Sequence, residues 1–397
     1  MKIRYESKKA SLFDVSLMLL VFLSEISYVE VFSNMAYLNT IINILQLPLY
    51  AALIYIISAK RYSFKQLLVF TALGLILLIG YVQSGQAAFF KGLLLVLAAK
   101  NESYKKIMKY CRISTIVVIC IAILTWPLVF SESNVFRRNG LALGFGHPNV
   151  TAQFMMVSIF LWIAEKGENL KKKDFLFVEA YGLIVYAITR SRTATILIMA
   201  LPVVVVIIRK AYSRKRRHFI LDNLCKFSQL FLLLFTYITA ATLEHSKISN
   251  ALDLILSNRI FLNYYGLKNY GISLFGQNVT LADNSGTVYN NIRNAYNWSV
   301  TIDSGYMVAL LTMGLVPTLI FCLGYYLDMK RAVKMSNYMV ASIAIMLAMY
   351  SFTESRMLEI YYNFVYFYIL ADYCVPCVLH DENYQQEAYR LSSVNRT

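Results

Sequence analysis

The feature that most constrains this chain is a series of apolar runs that recurs from residue 11 to residue 373. Most of these runs are long enough for a helix to cross a hydrocarbon core about 30 Å thick. Charged residues make up only 15% of the chain, against about 25% in an average soluble domain. The sequence therefore predicts an all-α polytopic membrane protein with about twelve transmembrane helices. The predicted spans are residues 12–26, 38–58, 64–82, 87–99, 113–130, 149–164, 175–188, 193–208, 227–243, 304–327, 338–352 and 358–373.

Positive charge is distributed unevenly between the predicted loops. The formal net charge is +16, and most of the 38 Lys and Arg residues fall on the same side of the spans as both termini. Because cytoplasmic loops carry an excess of Lys and Arg, we expect both termini to be cytoplasmic. Membrane topology explains the charge, so no nucleic-acid partner is predicted.

One loop is much longer than the others and joins the ninth and tenth spans. We expect residues 1–397 to form a single transmembrane domain, with residues 245–303 as a large external cap. The part at 248–268 predicts amphipathic helix on the membrane surface. The part at 269–303 is rich in Asn, Gly and Tyr, which suits either contact with a sugar or simple packing onto the bundle.

Four short polar motifs precede or begin helices that run from the outer face inward. Such helix amino termini favour phosphate or pyrophosphate, because their N–H groups are unpaired and the helix dipole is positive there. Arginine dominates the outer loops, and its planar fork binds phosphate oxygens in a bidentate manner. No metal site and no cofactor is predicted. The candidate residues for binding pyrophosphate or glycan are Arg137, Arg138, Arg190, Arg192, Arg259, Arg356, Asn149 and Tyr306.

Three further residues are candidate catalytic groups at the outer face: His147, Asp303 and Glu354. Any of them can accept or orient the proton of an acceptor hydroxyl if its pKa is tuned. Each also has a structural alternative. His147 is an ordinary loop histidine in that case, and the two carboxylates are helix caps. The arginines of the eighth span can likewise reach lipid headgroups without a further role.

The motifs occur in an order that resembles a known family. They are Arg-Asn-Gly at 138–140, Gly-Phe-Gly-His-Pro-Asn at 144–149, Ser-Arg-Thr-Ala at 191–194, Asn-Arg-Ile at 258–260 and Asp-Ser-Gly-Tyr at 303–306. This arrangement resembles the Wzy-type polysaccharide polymerases of the O-antigen ligase-like superfamily, over nearly the whole chain. A second histidine motif, typical of the ligases, is missing, because His245 lacks its context.

The resemblance implies a glycosyltransferase of the bacterial cell membrane that polymerises undecaprenyl-diphosphate-linked repeat units into capsule or exopolysaccharide. It implies the lipid-linked oligosaccharide and the bilayer as partners, together with a flippase and a chain-length regulator. It implicates Arg138, His147, Arg192, Arg259, Asp303 and Glu354.

Two alternatives to the polymerase stay open. A ligase would transfer finished glycan to another acceptor. A lipid-linked oligosaccharide flippase would also have about twelve spans, but its polar groups would lie near the bilayer midplane and its halves would repeat.

Overall fold

The computed structural model describes residues 11–129, 140–213, 219–279 and 302–372. Over these residues the chain is helical, and the one extended pairing is an isolated bridge between Ser103 and Asp372. The predicted all-α class is therefore confirmed. The helices are α1 Leu12–Ile26, α2 Glu30–Ser33, α3 Ala36–Ala59, α4 Phe64–Ser84, α5 Ala88–Ala98, α6 Tyr104–Val129, α7 Pro148–Lys166, α8 Lys172–Thr189, α9 Arg192–Ser213, α10 Phe219–Ala241, α11 Lys247–Ile255, α12 Arg259–Tyr270, α13 Gly305–Val308, α14 Leu315–Lys334 and α15 Tyr338–Ser351.

Five of the described helices are long and apolar enough to cross a membrane. They are α3, α4, α6, α9 and α10, and many of their apolar side chains face outward from the bundle. An apolar face outside the protein core requires an apolar solvent, so this is a membrane protein. The count of twelve spans stays a prediction, since α5 and α15 are apolar but shorter than a full span.

The predicted tenth span is interrupted. α13 continues into a π-helical turn at Ala309–Met313, and the helix breaks at Gly314, whose φ is +85°. The large loop occupies the break, because Ser273 accepts a hydrogen bond from the N–H of Leu315 at 2.9 Å. Residues 273–277 thus pack onto the bundle, which favours the packing alternative for this part of the loop.

The predicted twelfth span is wrong as a continuous helix. The 3₁₀ helix Ser355–Leu358 ends where the predicted span begins, and within the span the regular element is the short 3₁₀ helix Phe364–Ile369. Carbonyl groups that an α-helix would use internally instead accept from other elements. The Arg331 guanidinium donates to the carbonyls of Tyr368 and Ile369, and the N–H of Asn101 donates to that of Leu370 at 3.0 Å.

The predicted surface helix of the large loop is two helices, α11 and α12. They are separated by Ser257 and Asn258, which both have positive φ. Ile248 and Ile255 of α11 are about three-quarters exposed, at 74% and 76%. This exposed apolar surface fits the predicted amphipathic character.

Contacts between loops define one end of the bundle, which we call the motif end. There the N–H of Glu30 donates to the Gly144 carbonyl at 2.7 Å, and that of Leu141 donates to the Ile188 carbonyl at 2.8 Å. The opposite end carries the ion pairs Lys60–Glu102 and Lys166–Asp174. The sequence motifs at 140–149, 189–192 and 303–306, and the segment at 353–356, lie at the motif end.

Candidate functional site

At the motif end, one arginine joins two carboxylates that come from distant parts of the sequence. The Arg259 Nε lies 3.5 Å from Asp303 Oδ2, and its Nη2 lies 3.9 Å from Glu354 Oε1. Its Nη1 donates to the Thr353 carbonyl at 2.5 Å. We call Arg259, Asp303 and Glu354 the arginine–carboxylate cluster. All three guanidinium nitrogens of Arg259 thus lie close to oxygen atoms of the protein.

Arg259 is held in place by the turn between α11 and α12. Asn258 adopts the left-handed conformation, with φ of 64°, which Asn tolerates better than most residues. The buried Asp253 accepts from the N–H of Phe261 at 2.9 Å through Oδ1, and its carbonyl accepts from the N–H of Asn258. Asp253 thereby fixes the first turn of α12. This role was not predictable from the sequence, because Asp253 lies in an ordinary amphipathic pattern.

Gly305 brings the other two members of the cluster together. A Cβ at this position would lie 3.0 Å from the Glu354 carbonyl oxygen and 3.1 Å from that of Ser351. The missing side chain therefore permits α13 to start directly against the chain that follows α15. Because Asp303 lies two residues before Gly305, its carboxylate reaches the same guanidinium as Glu354.

Glu354 is the most buried ionisable group of the cluster, with 7% of its surface exposed. Burial raises its pKa to about 7, and Asp303 adds to the rise, whereas Arg259 and Arg356 act in the opposite direction. A carboxyl group with such a pKa exchanges its proton near neutral pH. Neither carboxylate forms the helix cap that is the alternative from sequence, since α13 has Ser304 at its N-cap and Glu354 makes no capping bond.

Arg356 lies over the ring of Tyr28, with its Cζ 4.9 Å from the ring centroid. Tyr28 in turn contacts Phe154 of α7, whose ring stacks on that of Phe145 at 4.4 Å. This aromatic group connects Arg356 with the loop that carries His147. Tyr28 was missed by the sequence analysis, because one tyrosine after a span is an ordinary interfacial residue.

His147 is the N-cap of α7, and its Nδ1 accepts from the N–H of Asn149 at 3.1 Å. A neutral imidazole that accepts at Nδ1 carries its proton on Nε2. Nε2 is then a hydrogen-bond donor, so the geometry suits orientation of a substrate oxygen better than proton abstraction. Of the two roles that the sequence left open for His147, the contact at Nδ1 favours orientation of a substrate oxygen over proton abstraction.

The two arginines of the eighth predicted span lie at the turn from α8 to α9 and are exposed. Arg190 ends α8 in the left-handed conformation, and its Cζ lies 5.5 Å from the Tyr186 ring. Gly140 packs against this turn, where a Cβ would lie 2.2 Å from the Thr189 carbonyl oxygen. The loop at residues 140–147, which carries His147, is therefore held beside Arg190 and Arg192. No contact between these arginines and the arginine–carboxylate cluster is seen among the described residues.

Three of the predicted site residues stand apart from this arrangement. Tyr306 is only 1% exposed, and its hydroxyl donates to the Ala348 carbonyl at 2.8 Å. It packs the bundle, so we leave it out of the site. Arg137 and Arg138 lie outside the described residues.

No protein-family model matches this sequence. Neither the curated proteins nor the solved structures include a significant match.

The motif end brings together three chemical capacities. Glu354 can accept a proton near neutral pH, His147 can donate a hydrogen bond, and the exposed Arg190 and Arg192 can bind an anion. Arg259 is already committed to the two carboxylates, so it positions them and is not placed to bind pyrophosphate. This combination suits the attack of a hydroxyl on a carbon that bears a phosphate leaving group.

Proposed function

We propose that the protein polymerises lipid-linked oligosaccharide repeat units at the outer face of the membrane, by glycosyl transfer from an undecaprenyl-diphosphate carrier. The observation that carries the proposal is the arginine–carboxylate cluster, in which Arg259 holds Glu354 beside Asp303. The order of the sequence motifs supports the same function. The proposal includes about twelve spans and both termini in the cytoplasm.

In the proposed reaction, a hydroxyl of the acceptor repeat unit attacks the anomeric carbon of the donor glycan. Glu354 takes the hydroxyl proton, the new glycosidic bond forms, and the bond from the anomeric carbon to the diphosphate oxygen breaks with its electron pair. Arg190, Arg192 and Arg356 stabilise the departing diphosphate. Because diphosphate is a good leaving group, cations are needed on it more than a general acid.

The proposal is tested in a strain that lacks the gene and is complemented with variants of the full chain. Glu354→Gln and Arg192→Gln should abolish long surface polysaccharide, while single lipid-linked repeat units accumulate on the outer face. Arg209→Gln is the matched control, because Arg209 lies near the opposite end of α9, over the Tyr338 ring. It should leave the long chains unchanged.

Two results would contradict the polymerase. Repeat units that accumulate in the cytoplasmic leaflet would favour a flippase. Long chains that form normally on the lipid carrier but are not attached to their final acceptor would favour a ligase.

The flippase alternative has one structural observation in its favour. Lys91, Gln46 and Ser24 lie next to one another within apolar helices, where a transporter places its substrate site. The complementation experiment separates the two functions by the leaflet in which the repeat units accumulate.

A further inference from the structure

Lys91 is the one charged residue of α5, in the first turn of an otherwise apolar helix. Its Nζ lies 3.5 Å from Gln46 Oε1 and 5.5 Å from the centroid of the Tyr50 ring. Both partners belong to α3. An ammonium group within apolar helices is costly, so such a residue indicates a function or a specific partner.

Lys60, beside the carboxyl end of α5, is a useful comparison because its ammonium group has three acceptors. Its Nζ donates to the carbonyls of Ala98 and Lys100 at 2.5 Å each and contacts Glu102 at 3.0 Å. Lys91 also has three donors, but among the described residues its one hydrogen bond is the long contact with Gln46. Lys91 therefore has donor capacity that no group in the described part of the chain uses.

Gln46, the hydrogen-bond partner of Lys91, is itself held only by long contacts. Gln46 is 5% exposed, and its Nε2 reaches Ser24 Oγ only at 3.4 Å. Buried polar groups normally form well-made hydrogen bonds, so the long contacts of Lys91 and Gln46 leave both side chains suited to receive a ligand.

Lys91 and Gln46 lie next to the candidate site but deeper in the bundle. α5 has 11 residues, so at 1.5 Å per residue it is about 16 Å long, roughly half the thickness of a hydrocarbon core. Its carboxyl end is fixed beside Lys60 at the opposite end, so its first turn lies well inside the membrane. Ser24 precedes Tyr28 by one helical turn, and Tyr28 contacts Arg356.

The surroundings indicate which kind of ligand can reach Lys91. The outer faces of α3 and α4 are exposed and apolar, including Leu47 at 64%, Ile54 at 56% and Leu68 at 61%. A molecule with an apolar tail can lie along such faces. An ammonium group with spare donors favours a phosphate headgroup on that molecule.

We propose that Lys91, with Gln46 and Tyr50, forms a second anion subsite that takes the phosphate headgroup of a lipid carrier. The proposal rests on the proposed function, in which donor and acceptor are both lipid-linked. The arginines of the motif end hold one carrier, and Lys91 holds the other. The subsite thus assigns a place to the second substrate.

A simpler role for Lys91 is pairing with Glu359, with which it interacts electrostatically. The two roles predict opposite effects of Glu359→Gln. If Lys91 binds a phosphate, Glu359 competes for it, and its neutralisation should tighten phosphate binding. If Lys91 serves only as the partner of Glu359, the same substitution should lower the thermal unfolding temperature and leave phosphate binding unchanged.

The test measures binding of radiolabelled polyprenyl diphosphate to the full chain in phosphatidylcholine nanodiscs. Wild-type protein should bind two molecules, and Lys91→Gln should bind one, or bind the second at least about tenfold more weakly, as loss of one charge-assisted hydrogen bond implies. Lys91→Arg should keep both, and Glu359→Gln should bind the second more tightly. Lys65→Gln, which removes a charge from an exposed position, should match wild type.

Unchanged binding in Lys91→Gln would overturn the subsite, as would unchanged or weaker binding in Glu359→Gln. Displacement of the second molecule by inorganic pyrophosphate at equal concentration would overturn a lipid as its occupant. Because this experiment measures binding and not polymerisation, failure of the subsite is distinguishable from failure of the proposed function. Lys91-dependent binding in a protein without polymerase activity would reject the polymerase and keep the subsite.

Discussion

The chemistry of the candidate site depends on how Glu354 is surrounded. Burial is the largest cause of its raised pKa, Asp303 raises it further, and the nearby arginines lower it. Glu354 is protonated below its pKa, so it can act as a base only as the pH rises through about 7. The sequence identified all three members of the cluster as candidates. It could not predict that Arg259 binds the carboxylates, because the three residues are far apart in the chain.

The first prediction concerns the pH dependence of polymer formation by the full chain. Activity should fall on the acidic side with an apparent pKa of about 7, because protonated Glu354 cannot accept a proton. In Asp303→Asn a carboxylate that raises the pKa is lost, so the residual activity should have its acidic limb at lower pH. In Arg259→Gln the limb should move to higher pH. If the acidic limb moved in the same direction in both variants, or in neither, Glu354 would be excluded as the titrating group.

The second prediction separates the capping role of His147 from a role in substrate binding. His147→Ala removes the acceptor for the N–H of Asn149 and should cost about 1 kcal/mol of stability, as the loss of an N-cap does. Asn is a good N-cap, so His147→Asn should keep the stability but lose the Nε2 donor. We expect both variants to lose polymer formation, measured beside thermal unfolding. Full activity in His147→Asn would show that His147 is a cap alone.

At the scale of elements, long helices with an outward apolar face were predictable, because periodicity and run length are local properties. The 3₁₀ helices at residues 355–369 and the break at Gly314 were not predictable. In both places backbone groups bond distant elements, as the Tyr368 carbonyl does with Arg331 and the Leu315 N–H does with Ser273. Such tertiary bonds leave no periodic signal.

The third prediction concerns the loop that carries His147. Gly144 has φ of +85°, and a Cβ there would lie 2.2 Å from the Ala122 carbonyl oxygen. Gly85 is the matched control, with φ of +71° and nothing within 4 Å of the added Cβ. Both alanine variants should lose about 1–2 kcal/mol for the left-handed conformation, and Gly144→Ala should lose more because the backbones must separate. Equal unfolding temperatures in detergent would contradict the close contact with α6.

At the scale of the whole molecule, the motif end gathers the polar loops, and the long helices carry the apolar faces that contact lipid. Which end faces outward is predicted only from the charge distribution. The proposed reaction requires the motif end to lie outside, since surface polysaccharide grows there. Orientation is thus a premise of the function and is open to direct measurement.

The fourth prediction concerns this orientation. In a background without the native cysteines, Lys268→Cys and Lys65→Cys place thiols in α12 and at the start of α4, both at exposed positions. A membrane-impermeant thiol reagent should label Lys268→Cys in intact cells and label Lys65→Cys only after permeabilisation. The reverse pattern would place the motif end in the cytoplasm.

The central claim is that the arginine–carboxylate cluster catalyses chain growth on a lipid carrier, and reconstitution tests it most directly. Purified full chain in vesicles that contain one lipid-linked repeat unit should convert it into a ladder of longer lipid-linked glycans. Glu354→Gln should form no ladder, and Arg209→Gln should match wild type. A Glu354→Gln protein that extends the glycan at the wild-type rate, or a wild-type protein that moves repeat units between leaflets without extending them, would contradict the account.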